Sequence, residues 1–364
     1  MDVALVKPAT ERATRELFAA ARDRLPGSGP VSEARQAAFD DFARRGLPYR
    51  RIEEWKYTDL RTLLREIAPL AAAPDQAALA RAAKAVTAYG AGDAYKLVLV
   101  DGVFAPQLSD QTPETGVEVR ALRDILENDD VAARADLLTT TAASDTMISL
   151  NTAMATDGIV IDVAENAKLT RPLHIVHIAT QSSTAAFTRS LLRLANGAQA
   201  TLVESFVAAE GGAAYQAHDS VVLWIGDDAG LQHVRLVEDA TDAANISTAI
   251  VTLGAKSRFN SLNLTSGAAV SRYQGFIKFS GEESHADVNG VNLLNGRQHG
   301  DTTLVLDHAV PHCSSNEVFR AVLDDQAHSV FQGKIIVRPD AQKTDGRMMT
   351  RALLLSDGAE ADNK

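Results

Sequence analysis

Cysteine is nearly absent: the 364 residues include one, Cys313. A disulfide framework is therefore excluded, as is any site built from several of the chain's own thiolates. Aromatic residues are scarce at 5%. Basic charge is short too, since 36 Lys and Arg against 47 Asp and Glu leave a formal net charge of −11. That balance argues against nucleic acid or an anionic membrane as partner, because attraction to phosphate needs clustered Lys and Arg. No apolar run approaches the roughly 18 residues of a membrane span. The start, from Met1 to Leu17, has no basic segment followed by an apolar stretch of the signal-peptide kind. A cytoplasmic protein is the expectation. What is present is an ordinary apolar fraction of 46%, enough for a globular core. The length suits about two to three domain-sized units or one elongated fold.

Residues 1–70 read as an N-terminal helical region. Thr10 can cap a helix from Glu11 to about Leu25, with Leu17, Phe18, Ala21 and Leu25 on one face. Pro26-Gly27-Ser28-Gly29-Pro30 breaks it. A second helix starts at Ser32 and points Ala34, Ala38 and Phe42 inward. Arg44 and Arg45 suit its negative end, and Gly46 suits the left-handed residue beyond. Thr58 and Asp59 are helix starters ahead of Leu60, Leu63 and Leu64. Residues 71–149 read as a linker. It holds an Ala-rich helix after Pro74, a strand Lys96–Val100, a hairpin turn at Asp101-Gly102, the return at Val103-Phe104, and a helix over 120–138.

From about Leu150 to Leu355 the pattern is β throughout. Apolar runs recur, each followed by two to four small or acidic residues and then an alternating run. Anchoring the turns on Ala167, Ala198, Ala229, Ala255 and Glu283 gives intervals of 31, 31, 26 and 28, with the same shape again around Ala327. A period near 28 with no helix between strands predicts stacked coils, a β-solenoid. On periodicity alone a jelly roll or sandwich stays open.

Chemistry-bearing motifs are sparse. No Gly-rich loop ends in Gly-Lys-Ser/Thr; Gln332-Gly333-Lys334-Ile335 lacks the hydroxyl and the earlier glycine. This predicts no ATP hydrolysis by the chain alone. Five of nine histidines fall between His285 and His328. His308 and His312 have the four-residue spacing of zinc ligands on a helix, with Cys313 adjacent as a soft ligand. Pro311 disfavours helical geometry there, so the simpler reading is turn histidines beside an inert thiol. Asp301 and Asp307 share a strand face but lie about 20 Å apart along it, too far for a glycosidase pair. Acids meeting across coils keep a carbohydrate-active β-helix enzyme open as an alternative, though such an enzyme needs secretion. A plain β-solenoid interaction module is another. The most distinctive string, Arg50 to Leu60 with Trp55 and Tyr57 among few large aromatics, reads as an aromatic packing anchor with Glu53, Glu54 and Lys56 solvated.

Four strings resemble the SufD branch of the SufB/SufD family, scaffold proteins of the SUF iron–sulfur assembly system. They are LPYRRIEEWKYTDL (47–60), YKLVLVDGVFAPQLS (95–109), SLNTAMATDGIVIDVAENAKLTRPLHIVH (149–177) and the stretch 299–362, which contains VFQGKIIV, AQKTD and LLLS. The resemblance implies a mainly β chain: a right-handed parallel β-helix over 150–355 behind an N-terminal helical region. It further implies a non-enzymatic scaffold that pairs with a SufB-like subunit and docks a SufC-like ATPase. No cofactor is expected on this chain alone; the iron–sulfur cluster belongs to the assembled complex. Members continue past the LLLS stretch into a Cys-Ser-His-Gly-type string and further helices, whereas this chain stops at Lys364. Residues 356–364 are thus expected to begin a truncated C-terminal segment, with weak or no SufC association. No catalytic residue is expected, and His308, His312 and Cys313 are the weak metal candidates. The partner surface is expected within roughly 299–355, at Val305, Phe331 and Ile335.

Overall fold

The computed structural model describes residues 8–89, 92–128 and 145–364. The strands are β1 (Tyr95–Val100), β2 (Val103–Phe104), β3 (Val117–Ala121), β4 (Ile159–Val163), β5 (Leu173–Ala179), β6 (Ala185–Leu194), β7 (Gln199–Ala208), β8 (Gln216–Ile225), β9 (Gly230–Glu238), β10 (Ala244–Leu253), β11 (Arg258–Thr265), β12 (Val270–Phe279), β13 (His285–Leu294), β14 (His299–His308), β15 (Ser314–Leu323), β16 (His328–Val337), β17 (Asp345–Leu354) and β18 (Glu360–Asn363). From β4 onward the chain alternates between two nine-stranded sheets. One runs β17-β15-β13-β11-β9-β7-β5-β1-β2, the other β18-β16-β14-β12-β10-β8-β6-β4-β3. All pairings between coils are parallel, and a coil takes from 26 residues (Ala244 to Val270) to 32 (His328 to Glu360). The result is a parallel β-solenoid, not a sandwich, because each strand pairs with the strand two places on.

Period-2 alternation sorts the side chains. Inward residues such as Leu97, Ile175, Leu202, Leu223, Val251, Phe279, Val288, Leu306 and Phe331 fill one continuous core between the sheets. The corner leading into the first sheet explains the repeat. A left-handed residue (Gly197, Asp228, Lys256, Glu283, His312, Lys343) is followed by a small one (Ala198, Ala229, Ser257, Ser284, Cys313, Thr344). The positive φ makes the tight bend, and the small side chain fits the prism corner, where five of the six, Thr344 excepted, are buried. The sequence anchors at Ala255 and Glu283 fall one or two residues early on this row, and Ala327 belongs to the opposite corner.

The β reading from Leu150 needs one correction. Residues Thr146–Met154 form a buried helix capped by the Asp145 carboxylate, which accepts from the Met147 N–H. Their apolar run is too uniform to distinguish a buried helix from a strand. Conversely, β1 joins the first sheet through parallel pairing with β5, and Glu360–Asn363 adds a last strand. Asp101 and Gly102, both at positive φ, make the expected β1–β2 hairpin. Helices Pro8–Ala21 and Pro30–Arg45 pack with Thr146–Met154 on the outer face of the second sheet, around Phe18, Phe39, Phe42, Phe187 and Ile246. The Ala-rich helix spans Gln76–Tyr89 and covers the other sheet through Ala82, Val98 and Val176. Of the helix expected over 120–138, Leu122–Asn128 is present, and 129–138 lie outside the described residues. Among the described residues no helix is long and apolar enough to cross a membrane.

Candidate functional site

The three weak metal candidates do not converge. His308 ends β14 facing inward, fully buried, with its ring stacked on Phe279 at 4.0 Å and Nε2 3.2 Å from the Ser315 hydroxyl. His312 is the exposed left-handed corner residue. Cys313 is the small buried corner residue, with Sγ 3.3 Å from Ser284 Oγ. Their spacing comes from solenoid geometry. The two acids weighed for carbohydrate chemistry are each paired elsewhere, Asp301 with Arg272 and Asp307 with Arg338.

The concentration of polar groups that the sequence reading missed lies inside the solenoid. Inward positions at the middle of the early coils are not apolar: His177 on β5, Glu204 on β7, Asp219 on β8, His233 and Arg235 on β9, and Asn245 and Ser247 on β10 are all buried. His177, Glu204 and Asp219 each place a donor atom within 4.8 Å of the others. Glu204 Oε2 is 2.7 Å from His233 Nε2, and Asp219 Oδ1 accepts from Thr188 Oγ1 at 2.6 Å. His177 Nε2 and Glu204 Oε1 have no hydrogen-bond partner among the described residues. Arg235 donates to Asn263 Oδ1 (3.0 Å) and Asn245 Oδ1 (2.7 Å) and lies between the rings of Phe206 and Tyr273.

Burial governs the electrostatics here. It drives the His177 imidazole down to about 4 and His218 to about 3, so both are neutral. Burial would raise Glu204, but the His233 hydrogen bond and the nearby positive groups outweigh it and hold that carboxyl low. Burial, reinforced by the Glu204 charge, pushes Asp219 up to about 8. Two neighbouring acids thus sit in opposite states, one ionised and one protonated. A cavity of about 30 Å3, room for one water, adjoins the cluster and is lined by His177, Thr188, Phe206, Tyr215, His218 and Asp239.

The aromatic string is an anchor, placed where the helical region meets the outer face of the second sheet. Trp55 is buried and donates from Nε1 to Asp145 Oδ2 at 2.8 Å, while Glu53, Glu54 and Lys56 are exposed. The Arg272 guanidinium lies over the indole at 4.1 Å, donates to the Glu54 carbonyl at 2.7 Å and pairs with Asp301. Thr58 donates to the same carboxylate and lies 2.9 Å from His299 Nε2. Arg272 and Asp301 are register partners on adjacent coils, both fully buried in their side chains.

Of the three residues expected at a partner surface, Val305 is half-buried on the outer face of β14. Ile335 packs partly against the core, and Phe331 is a core residue stacked on Phe319 at 4.4 Å. Phe331 and Ile335 share the inward row of β16, and only Val305 of the three faces outward. Sequence alternation placed Phe331 and Ile335 on one face, but did not say which face is the interior. Four of the seven exposed large apolar side chains among the described residues lie on or beside β16 and β17, at Val337 (53% exposed), Leu353 (57%), Leu354 (48%) and Leu355 (57%), with Leu63, Leu262 and Leu293 elsewhere. Among the described strands, β17 and β18 stand at the ends of their sheets.

The comparisons with known proteins agree along the chain. Residues 9–175 match the SufBD protein N-terminal region, and residues 177–364 match the SufBD core domain of SUF system FeS cluster assembly. An iron–sulfur cluster assembly SufBD family protein of Synechocystis is 28% identical over 344 residues, covering 91% of this chain and 74% of that protein. The iron–sulfur cluster assembly protein SufD of Escherichia coli is 30% identical over 336 residues, covering 90% and 75%. The chloroplastic protein ABCI7 of Arabidopsis thaliana is 22% identical over 232 residues, covering 61% and 48%.

Proposed function

The chain belongs to the SufBD family of the SUF iron–sulfur cluster assembly system, and from that premise we propose that it is a SufD-type scaffold subunit, cytoplasmic and without catalytic activity of its own. The two family matches, which together run from residue 9 to 364, carry this reading. In it, the cluster is cargo held by the assembled complex, a SufB-like subunit pairs with the solenoid, and a SufC-like ATPase supplies nucleotide hydrolysis. The geometry supports the pairing surface. Among the described residues β17 and β18 are the end strands of their sheets, and pairing a sheet edge with a second sheet edge adds backbone hydrogen bonds while covering apolar side chains. Leu353, Leu354 and Leu355 lie on or beside β17, so residues 345–363 replace Phe331 and Ile335 as the contact region.

Anaerobic reconstitution with SufB-like and SufC-like subunits tests the function. The expected result is a stable complex of this chain with the SufB-like subunit, and iron and acid-labile sulfide that accumulate only when this chain is present. Equal cluster accumulation without it, or sugar cleavage by the chain, contradicts the proposal.

A further inference from the structure

We propose that His177, Glu204 and Asp219 form a binding site for a divalent first-row transition metal inside the solenoid. The site is separate from the end-coil surface and does not rest on the assembly role.

The donor set is the first argument. One imidazole and two carboxylates suit ions of the Fe2+, Zn2+ or Mn2+ class, whereas purely oxygen-lined sites suit Mg2+ or Ca2+. The donor atoms lie within 4.8 Å of one another. Tetrahedral ligands about 2.1 Å from an ion stand about 3.4 Å apart, so small side-chain shifts close the site. Strand pairing fixes the frame: Thr188 is the register partner of Asp219 on β6, and Arg235 that of Glu204 on β9.

Unspent hydrogen-bonding capacity is the second argument, independent of the first. His177 Nε2 and Glu204 Oε1 are buried without a partner. Burying a polar atom without a partner is destabilising, and a metal would satisfy both. The remaining carboxylate oxygens are already held from outside, Glu204 Oε2 by His233 and Asp219 Oδ1 by Thr188. That is the arrangement in which outer partners orient metal ligands. The adjoining cavity, lined by His177, leaves space for a water in an open coordination position. Arg235 faces the cluster, and Arg189 on β6 acts on Asp219 as well. The Arg235 guanidinium is directed to Asn245, Asn263 and Ser247 and is fixed between two rings, so Glu204 Oε1 stays unpaired for an ion.

The experiment uses the full chain, stripped with EDTA and titrated anaerobically with Co2+, whose visible absorption reports its ligands. One equivalent should bind, and excess EDTA should remove it over minutes, because the ligands are enclosed. His177→Gln and Glu204→Gln should each weaken binding by at least about 100-fold, and Thr188→Val by about 10-fold. The surface pairs His285–Asp287 and His328–Asp362 are the competing sites, so His285→Ala/His328→Ala should leave the spectrum unchanged. The inference fails if wild type takes up no Co2+, if EDTA removes it within the mixing time, or if the surface variant abolishes the band. It fails equally if folded His177→Gln and Glu204→Gln proteins bind as wild type does. Should those variants not fold, the EDTA release rate and the surface variant decide.

Discussion

Removing the Asp301 carboxylate should loosen the helical region from the solenoid more than any other single side-chain truncation at that contact. Asp301→Ala leaves the Arg272 guanidinium, fully buried in its side chain, with the Glu54 carbonyl and the Trp55 ring as its favourable neighbours among the described residues. An uncompensated buried charge of this kind costs about 3–5 kcal/mol. The Thr58 hydroxyl loses its acceptor as well, adding about 1 kcal/mol. Taking the cation away too should recover part of the loss, so Arg272→Met/Asp301→Ala is expected to be more stable than Asp301→Ala by about 1–3 kcal/mol. Urea unfolding followed by Trp55 fluorescence in a Trp224→Phe background gives the energies, and hydrogen exchange across 30–64 shows where protection is lost. A loss below about 1 kcal/mol for Asp301→Ala, or strictly additive effects in the double variant, would refute the claim that this pair holds the interface.

Other outcomes follow from single positions. Burial pushes Glu317 up to about 7 from its ordinary 4.5, with the Ser315 hydroxyl offsetting only part. The folded state therefore binds more protons than the unfolded one between those values, and stability falls as pH rises through that window; Glu317→Gln should stabilise by about 1 kcal/mol at pH 8 and hardly at all at pH 5 in thermal unfolding. A Cβ on Gly158 would stand 1.8 Å from the Arg189 carbonyl oxygen, so Gly158→Ala should cost at least about 2 kcal/mol by forcing β4 away from β6. Cys313 is fully buried, and a thiol reagent should titrate it only after denaturation; reaction in the native protein would show that the corner opens. Leu353→Glu and Leu355→Glu should leave unfolding unchanged yet abolish capture of a SufB-like subunit, which a pull-down reads directly.

Most of the solenoid was legible because its rule is local. Apolar runs separated by short small-residue turns follow from two strands per coil, and the interval near 28 follows from coil circumference. The exact corner was missed because its signal is conformational: Lys256, Glu283 and His312 share a positive φ, not a residue type. The β pattern taken from Leu150 overlaps the second half of the helix Thr146–Met154, because burial on nearly all sides removes the helical period. Trp55 was correctly read as an anchor, but its partners Arg272 and Asp301 lie more than 200 residues away and carry no sequence mark. The same holds for the interior cluster. His177, Glu204 and Asp219 sit on three strands, and alternation cannot tell an inward acid from an outward one without the fold. The histidines at 285–328 are close in sequence, but His308 points into the core while His312 is exposed at the next corner, so closeness along the chain does not bring their side chains together.

The central proposal is that residues 345–363 pair this chain with a sister subunit. Hydrogen exchange of the protein alone and with a SufB-like subunit tests it most directly. Strong added protection is expected over 345–363, with β5 to β9 unchanged. A stable complex with no added protection in 345–363 would contradict the account.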